Sequence, residues 1–144
     1  MALHLIKLCV GCDSPEDLEA WIAMRLEEKR RRGEPVEHFH TTRMMPKRMA
    51  ELTDGGSLYW VVKGMVQCRQ PLLDIRPFTD GEGISRCRLV LDRQVVRTEW
   101  QPKRPFQGWR YLKPEDAPLD IRSGERADEM PDHLRRELTE LGLL

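Results

Sequence analysis

Alternating apolar and polar positions are most regular between Gly55 and Phe78, where Val, Tyr, Trp and Ile are concentrated. These residue types favour strands, and Pro71 within the run indicates a bent or edge-reaching strand pair. Read as one ladder from Ser57, the run places alternate side chains on opposite faces. One face carries Leu58, Trp60, Val62, Val66 and Cys68, and the other carries Tyr59, Val61, Lys63, Met65, Gln67 and Arg69. The first face is predicted to be core, and the second a mixed apolar, basic and aromatic surface.

The segment before this run predicts a strand followed by a helix. Leu3 to Val10 is apolar enough for a strand, and Ser14 with Pro15 is a strong helix start. A hydroxyl at the N-cap and Pro at the first helical position are both typical of that end. Apolar residues at helical spacing continue to Arg32, where Gly33 favours termination. An amphipathic helix from Pro15 to Arg32 is therefore predicted to pack on the sheet.

The rest of the chain reads as short elements joined by turns. The cluster Asp80-Gly81-Glu82-Gly83 predicts the turn of an antiparallel hairpin. The other predicted elements are a strand at Val36 to Arg43, a helix at Pro46 to Leu52, hairpin strands at Leu72 to Phe78 and Ile84 to Asp92, a strand at Gln94 to Gln101, a loop at Pro102 to Tyr111, and a helix at Asp132 to Leu141.

These elements predict an α+β fold. A mostly antiparallel sheet, curled or closed into a small β-barrel, carries the N-terminal helix on one side. Residues 1–121 are expected to form a single domain, and residues 122–144 an acidic, partly mobile tail with a short docking helix. A chain of 144 residues is long enough to bury roughly 70% of the surface exposed when unfolded.

Composition excludes a membrane-inserted chain. Hydrophobic residues make up 40% and charged residues 33%, and no stretch approaches the roughly 20 apolar residues that span a bilayer. The apolar N-terminus lacks a basic start and runs into a helix signal, so it is interpreted as the first strand of a cytoplasmic protein. Four cysteines fit free thiols in such a compartment.

The formal net charge of zero conceals a gradient along the chain. Residues 41–113 carry 14 Lys and Arg against 7 Asp and Glu, a net charge of +7. The flanking segments 1–40 and 114–144 are at −2 and −5. This asymmetry predicts a basic surface for RNA or another anionic ligand, unless folding mixes the charges or pairs them with the tail.

Basic and aromatic side chains together indicate nucleic-acid binding. Cationic groups neutralise phosphates, and flat rings stack on unpaired bases. The predicted contacts are Arg43, Lys47, Arg48, Tyr59, Lys63, Arg69, Arg104, Trp109 and Arg110. Arg43, Lys47 and Arg48 are assigned to phosphates, and Trp109 with Arg110 to stacking on a base. The tryptophans remain open to an alternative interpretation as core residues.

A second group of residues offers thiol or metal chemistry. Cys9 and Cys12 form a CxxC motif before the helix, and His38 and His40 lie on one side of a short strand. A second cysteine pair, which a structural zinc site requires, is missing, and Cys12 stands outside the first helical turn. Free thiols and surface histidines are therefore favoured, and no metal or cofactor is predicted.

The chain resembles a bacterial, mainly alphaproteobacterial, family of short proteins of unknown function. The resemblance runs through LHLIKLCVGCDS, HTTRMMPKR, GGSLYWVVKG, QCRQPLLDIRPF, RCRLVL and KRPFQGWRYL. It covers roughly Leu3 to Pro118, leaves the acidic tail outside, and brings no established activity.

Lys47 to Lys63 is also similar in element order to PUA-like β-barrels of the ASCH and EVE type. Such a resemblance implies a ligand cleft near Thr41 to Lys47 that takes RNA or a modified base. The combined expectation is a nucleic-acid-binding module that prefers RNA or a modified base to duplex DNA and performs no chemistry of its own. The alternatives are a thiol or metal-dependent protein and a protein-interaction module, with the oligomeric state undetermined.

Overall fold

A computed structural model describes residues 2–121 as seven strands and two short-to-medium helices with one 3-10 turn. The predicted tail and its helix at Asp132 to Leu141 lie outside the described residues. In chain order the elements are β1 (His4–Leu8), α1 (Pro15–Arg31), β2 (Phe39–Thr42), α2 (Met49–Thr53), β3 (Ser57–Val62), β4 (Met65–Thr79), β5 (Ser85–Leu91), β6 (Val96–Pro102), β7 (Trp109–Leu112) and the 3-10 turn (Pro114–Asp116).

The seven strands form one mostly antiparallel sheet, which confirms the predicted α+β class. Strands are ordered β2-β5-β4-β3-β1-β7, and β6 pairs with β4. Only β1 and β3 pair in parallel among the described strands. No pairing within residues 2–121 joins β2 to β7, so hydrogen bonds do not close the sheet into a barrel.

The run from Gly55 to Phe78 forms a tight hairpin of β3 and β4, which is a strand pair as expected, but the assignment of its faces along one continuous ladder from Ser57 is wrong. The chain reverses at Lys63 and Gly64, whose φ angles are 50° and 78°. Two consecutive positive φ values are typical of the two-residue turn that matches the twist of antiparallel strands. Pro71 lies inside the 15-residue strand β4, opposite Ser57 at the start of β3.

Both faces of this hairpin are buried, so the predicted mixed surface is also wrong. All six residues of β3 are buried. Leu58, Trp60 and Cys68 belong to one hydrophobic cluster, whereas Tyr59 and Val66 belong to a second cluster on the opposite face. The pairing register shifts near Trp60 and between Val66 and Cys68. An irregularity of this kind inserts a residue and breaks the simple alternation that the sequence indicated.

Helix α1 covers the first cluster. Ser14 caps it through its side-chain oxygen, which accepts the Asp17 N–H at 3.2 Å. Leu18 and Ile22 are buried in the same cluster as the sheet residues Leu58 and Trp60. No helix of the described residues is long and apolar enough to cross a membrane.

The predicted loop at Pro102 to Tyr111 is wrong at its end, because Trp109 begins β7. Strand β7 pairs antiparallel with β1, with Trp109 opposite Lys7 and Arg110 opposite Ile6. Pro105 and Gly108 just before it give a loop signal. The backbone hydrogen bonds of β1, a strand far away in sequence, impose the extended conformation.

Replacing Gly56 with Ala should destabilise the fold by about 3 kcal/mol, the upper end of the cost of overpacking. A Cβ at this position would stand 2.2 Å from the carbonyl oxygens of Leu3 and Leu52, which are backbone atoms that cannot rotate away. Urea unfolding followed by circular dichroism measures the change.

The matched control is Gly81→Ala, because nothing lies within 4 Å of a Cβ at that turn position. Its stability should stay within about 0.5 kcal/mol of the parent, as for most surface substitutions. Equal stability of the Gly56 and Gly81 variants would contradict the close approach of β1 and α2 at Gly56.

Candidate functional site

Two aromatic residues of the predicted nucleic-acid surface are buried. Tyr59 is 5% exposed and Trp109 is 6% exposed. The Tyr59 ring packs edge-on against His4 at a centroid distance of 5.1 Å. The Trp109 indole donates its N–H to the Met44 carbonyl oxygen at 2.7 Å. Neither ring is open to stack on a base, and both hold parts of the fold together.

Arg69 is held in a structural ion pair. Its guanidinium donates to both carboxylate oxygens of Asp120 at 2.8 and 2.7 Å, and to the Ser57 hydroxyl at 2.9 Å. The same hydrogen bonds lower the pKa of the Asp120 carboxyl below its usual value. Two parallel N–H···O bonds fix both partners, so Arg69 ties the segment after the 3-10 turn to the sheet.

The basic segment Arg43 to Arg48 contacts β7. The Tyr111 hydroxyl oxygen accepts the backbone N–H groups of Lys47 at 2.9 Å and Arg48 at 3.3 Å. Arg48 also pairs with Glu51 at 2.5 Å. The side chains of Arg43 and Lys47 are exposed and make no ion pair with any described residue.

The other predicted cations lie outside the segment Arg43 to Arg48. Arg110 projects from the opposite face of β7, with its guanidinium 5.0 Å from the Phe106 ring centroid. Arg104 is exposed in the loop that precedes β7. Lys63 occupies the tip of the β3–β4 hairpin, 3.6 Å from Asp13. The nine predicted residues therefore do not converge on one surface.

A pocket of about 390 Å³ opens where the chemistry-bearing side chains do converge. It lies beyond the carboxyl ends of the parallel strands β1 and β3 and beside the start of α1. This position is where open sheets with parallel strands commonly bind ligands. The pocket is lined by Lys7, Leu8, Cys9, Val10, Gly11, Cys12, Asp17, Leu18, Trp21, His40 and Trp60.

Trp60 and His40 form the sheet side of the pocket, with ring centroids 5.4 Å apart at an interplanar angle of 87°. The Trp60 indole N–H donates to the Gln70 side-chain oxygen at 2.9 Å, and the Gln70 amide donates to the Asp92 carbonyl oxygen at 2.8 Å. This buried chain fixes the indole plane. A buried polar group whose hydrogen bonds are all made is held in a single orientation.

His40 contributes an unused hydrogen-bonding atom. Its Nε2 is buried and has no hydrogen-bond partner among the described residues. Burial, reinforced by the nearby Lys7 charge, lowers the pKa of His40 to about 4. The side chain is therefore a neutral imidazole at physiological pH. His38, the other predicted histidine, is buried outside the pocket lining.

Cys9 and Cys12 form the opposite wall. The Cys9 N–H donates to the Val61 carbonyl oxygen at 2.9 Å, which fastens the turn to the end of β3. Both thiols are free and half-buried. Burial, together with a hydrogen bond between the two thiols, raises the pKa of Cys9. Within residues 2–121, no three His, Cys, Asp or Glu side chains are grouped so as to hold a metal ion.

Trp21 stands at the mouth of the pocket on the first turns of α1. It is 41% exposed, and the Arg25 guanidinium lies 4.3 Å from its ring centroid. Sequence interpretation missed Lys7, Trp21 and Trp60 as site residues because each fits a core or helix stripe. The available signal was the short link between a strand and a capped helix, which is a common ligand position.

Comparison with known proteins gives one match. A family model described as "Protein of unknown function (DUF1489)" matches residues 5–144. This confirms the expected family of unknown function, and it corrects the expectation that the resemblance ends near Pro118. No curated protein and no solved structure matches the chain.

Lowering the pH from 7 to 5 should reduce the free energy of unfolding. Burial lowers the pKa of His38 and His40 to about 4, whereas each returns to about 6.5 in the unfolded chain. Below pH 6.5 the unfolded state therefore binds protons that the folded state does not bind, so the free energy of unfolding decreases as the pH falls toward 4. Each histidine contributes a slope of about 1.4 kcal/mol per pH unit.

Urea unfolding at half-unit pH steps tests this dependence. The variant His40→Gln removes one titrating group and should reduce the slope by about 1.4 kcal/mol per pH unit. His4, whose pKa burial also lowers, adds to the slope in both proteins. A stability that stays flat between pH 7 and 5 would mean that these imidazoles are solvated.

Proposed function

We propose that this chain, which belongs to the DUF1489 family, binds single-stranded RNA and holds one unpaired or modified base in the pocket, stacked on the half-exposed Trp21 at its mouth. The observation that carries the proposal is an aromatic pocket lined by His40, with the exposed basic segment Arg43 to Arg48 beginning three residues farther along the chain. The two features supply the two parts that a nucleotide requires, a flat apolar surface for the base and cations for the phosphate.

The pocket suits a nucleobase in size and chemistry. Its volume of about 390 Å³ falls in the range of about 300–1,000 Å³ usual for small-ligand sites. Stacking of a base on an aromatic side chain is worth roughly 1–3 kcal/mol. Lys7 and His40, which both line the pocket, offer polar side chains to the edge of a base. A neutral imidazole is suited to such an edge because it binds without a charge to desolvate.

The phosphate position follows from the spacing along β2. Arg43 lies three residues after His40, which is about 10 Å along an extended chain. Lys47 lies farther along the same segment, where the Tyr111 hydroxyl oxygen accepts its backbone N–H and its side chain stays exposed. We expect the phosphates of a nucleotide whose base fills the pocket to extend along this segment.

A single strand fits this arrangement better than a duplex. A concave pocket at the end of a sheet admits only a base that has left its stack and its pairing partner. Paired bases in a double helix present only their edges, and the base face that would stack on Trp21 is covered. The proposal therefore favours unpaired RNA segments over duplex DNA.

We further infer that the sheet curls around this pocket in the PUA-like manner. Strands β2 and β7 stand at opposite ends of the strand order, yet Met44, just after β2, accepts the Trp109 indole N–H of β7 at 2.7 Å. The contact supports a sheet that bends toward itself on the side of α1. A curled sheet would place Arg43 and Lys47 at the mouth of the cleft.

The variant Trp21→Ala should weaken binding of a fluorescent single-stranded RNA by roughly 5- to 150-fold, the loss of one stacking surface. Lys47→Ala should weaken binding less and reduce the slope of log K against log salt by about 0.7, the loss of one phosphate contact. Fluorescence anisotropy across a salt series measures both effects. Both side chains are exposed or half-exposed, so the fold should persist.

Arg32→Ala is the matched control. It removes the same charge at the end of α1, about 17 Å along the helix from Trp21, and it should leave affinity nearly unchanged. Absence of binding to any single-stranded RNA at low salt would overturn the proposal. It would also fail if Arg104→Ala and Arg110→Ala weakened binding while Trp21→Ala did not, because the ligand would then lie on the opposite face.

A further inference from the structure

The CxxC motif is folded as a tight turn that brings its two cysteines together. Val10 and Gly11 form the turn between Cys9 and Cys12. Gly11 has a φ of 85°, a left-handed value that a side chain at this position would resist. Positive φ at the third residue is typical of a type II turn. Glycine is therefore required for the reversal that sets the thiols side by side.

The spacing that this turn imposes is compatible with a disulfide. The first and fourth Cα atoms of a β-turn lie less than about 7 Å apart. Disulfide-bonded cysteines have Cα atoms about 4.4–6.8 Å apart. Both cysteines line the same pocket, so the two side chains lie on the same side of the turn. A disulfide between Cys9 and Cys12 would therefore require rotation of their side chains but no change in the backbone.

We propose that Cys9 and Cys12 form a reversible dithiol–disulfide pair that exchanges with low-molecular-weight disulfides entering the pocket. This proposal does not rest on the proposal that the chain binds RNA. It assigns a reaction to two thiols that line a 390 Å³ pocket together with Lys7 and two tryptophans. A buried structural pair would have no such access for a reaction partner.

The two thiols differ in their surroundings, and the difference sets their roles. Cys9 is anchored to β3 through its backbone N–H and is the thiol whose pKa burial raises. Cys12 lies at the other end of the turn, two residues before the N-cap of α1. The Asp13 carboxylate beside it is partly neutralised by Lys63 at 3.6 Å. Cys12 is therefore the attacking thiol, and Cys9 is the resolving thiol.

The exchange balances with one external disulfide as the oxidant. The Cys12 thiolate attacks one sulfur of the external disulfide, whose S–S bond breaks as a mixed disulfide forms on Cys12 and one thiolate leaves. Cys9 then loses its proton to water and attacks the Cys12 sulfur, which expels the second thiolate. Both leaving thiolates take up protons. The net result is one internal disulfide formed and one external disulfide reduced to two thiols.

The other two cysteines provide an internal reference. Cys68 and Cys87 are fully buried in the first hydrophobic cluster. Burial raises the pKa of Cys68 to about 12 and also raises that of Cys87. Both therefore remain protonated thiols without access to a reagent while the protein is folded. Any reaction of the native chain is expected at Cys9 and Cys12 alone.

The test equilibrates the full chain with mixtures of reduced and oxidised glutathione, quenches with an alkylating reagent, and locates the modified cysteines by mass spectrometry. Trypsin releases Cys9 and Cys12 together in the peptide of residues 8–25, whereas Cys68 and Cys87 fall in separate peptides. The expected product is a peptide 8–25 that has lost two hydrogen atoms and resists alkylation. Cys68 and Cys87 should be alkylated only after unfolding.

Single variants separate the two roles. Cys9→Ser should accumulate a glutathione adduct on Cys12, because no resolving thiol remains. Cys12→Ser should react with oxidised glutathione at least about tenfold more slowly than Cys9→Ser, because the remaining thiol is shielded. Cys87→Ala is the control and should behave as the parent. Circular dichroism of each variant checks that the fold is retained.

Two results would overturn the inference. One is a native chain whose peptide 8–25 stays fully alkylated in every glutathione mixture. The other is a mixed disulfide that persists on Cys12 of the parent protein, since it would mean that Cys9 cannot reach it. Either result would leave the RNA-binding proposal untouched, because that proposal depends on the aromatic and basic residues and on a different measurement.

Discussion

Parallel pairing of β1 with β3 is the constraint on which the rest of the structure depends. It brings Leu8 next to Val61 at one edge, so that two strands end at the same place. It also requires Gly56, because the carbonyl oxygens of Leu3 and Leu52 occupy the space where a Cβ would stand. With β1 in place, β7 has a partner and α1 has a sheet to cover. The pocket is the gap left where the link between β1 and α1 crosses the strand ends.

Burial of both sheet faces then decides what the polar and aromatic residues can do. Trp109 and Tyr59 are taken into the two clusters, and their polar atoms or ring edges are satisfied by Met44 and His4. Unpaired polar groups in a core are costly, so such residues are fixed in place. The residues left for binding are those whose polar atoms remain unused. His40, whose buried Nε2 has no hydrogen-bond partner in residues 2–121, is the clearest of them.

The pocket joins two kinds of chemistry on facing walls. Trp60 and His40 present two aromatic rings packed edge to face, whereas Cys9 and Cys12 present two free thiols. The first wall is held rigid by two hydrogen bonds, one from the Trp60 indole to Gln70 and one from the Gln70 amide to Asp92. The second wall is a turn fastened by the bond from the Cys9 N–H to the Val61 carbonyl oxygen. Rigid walls lower the entropy lost when a ligand is held.

The sequence by itself determined the features that depend on residues close along the chain. The hydroxyl of Ser14 with Pro15 fixed the start of α1, and the Asp80 to Gly83 turn fixed the β4–β5 hairpin, since capping and turn geometry act over three or four residues. Only the tertiary structure decided the reversal at Lys63, which no Asn-Gly type signal marks, and the extended conformation of β7. The pocket was equally beyond sequence reasoning, because its walls come from β1, β2, β3 and α1. Side chains so distant along the chain meet only through strand pairing and burial, which no local pattern specifies.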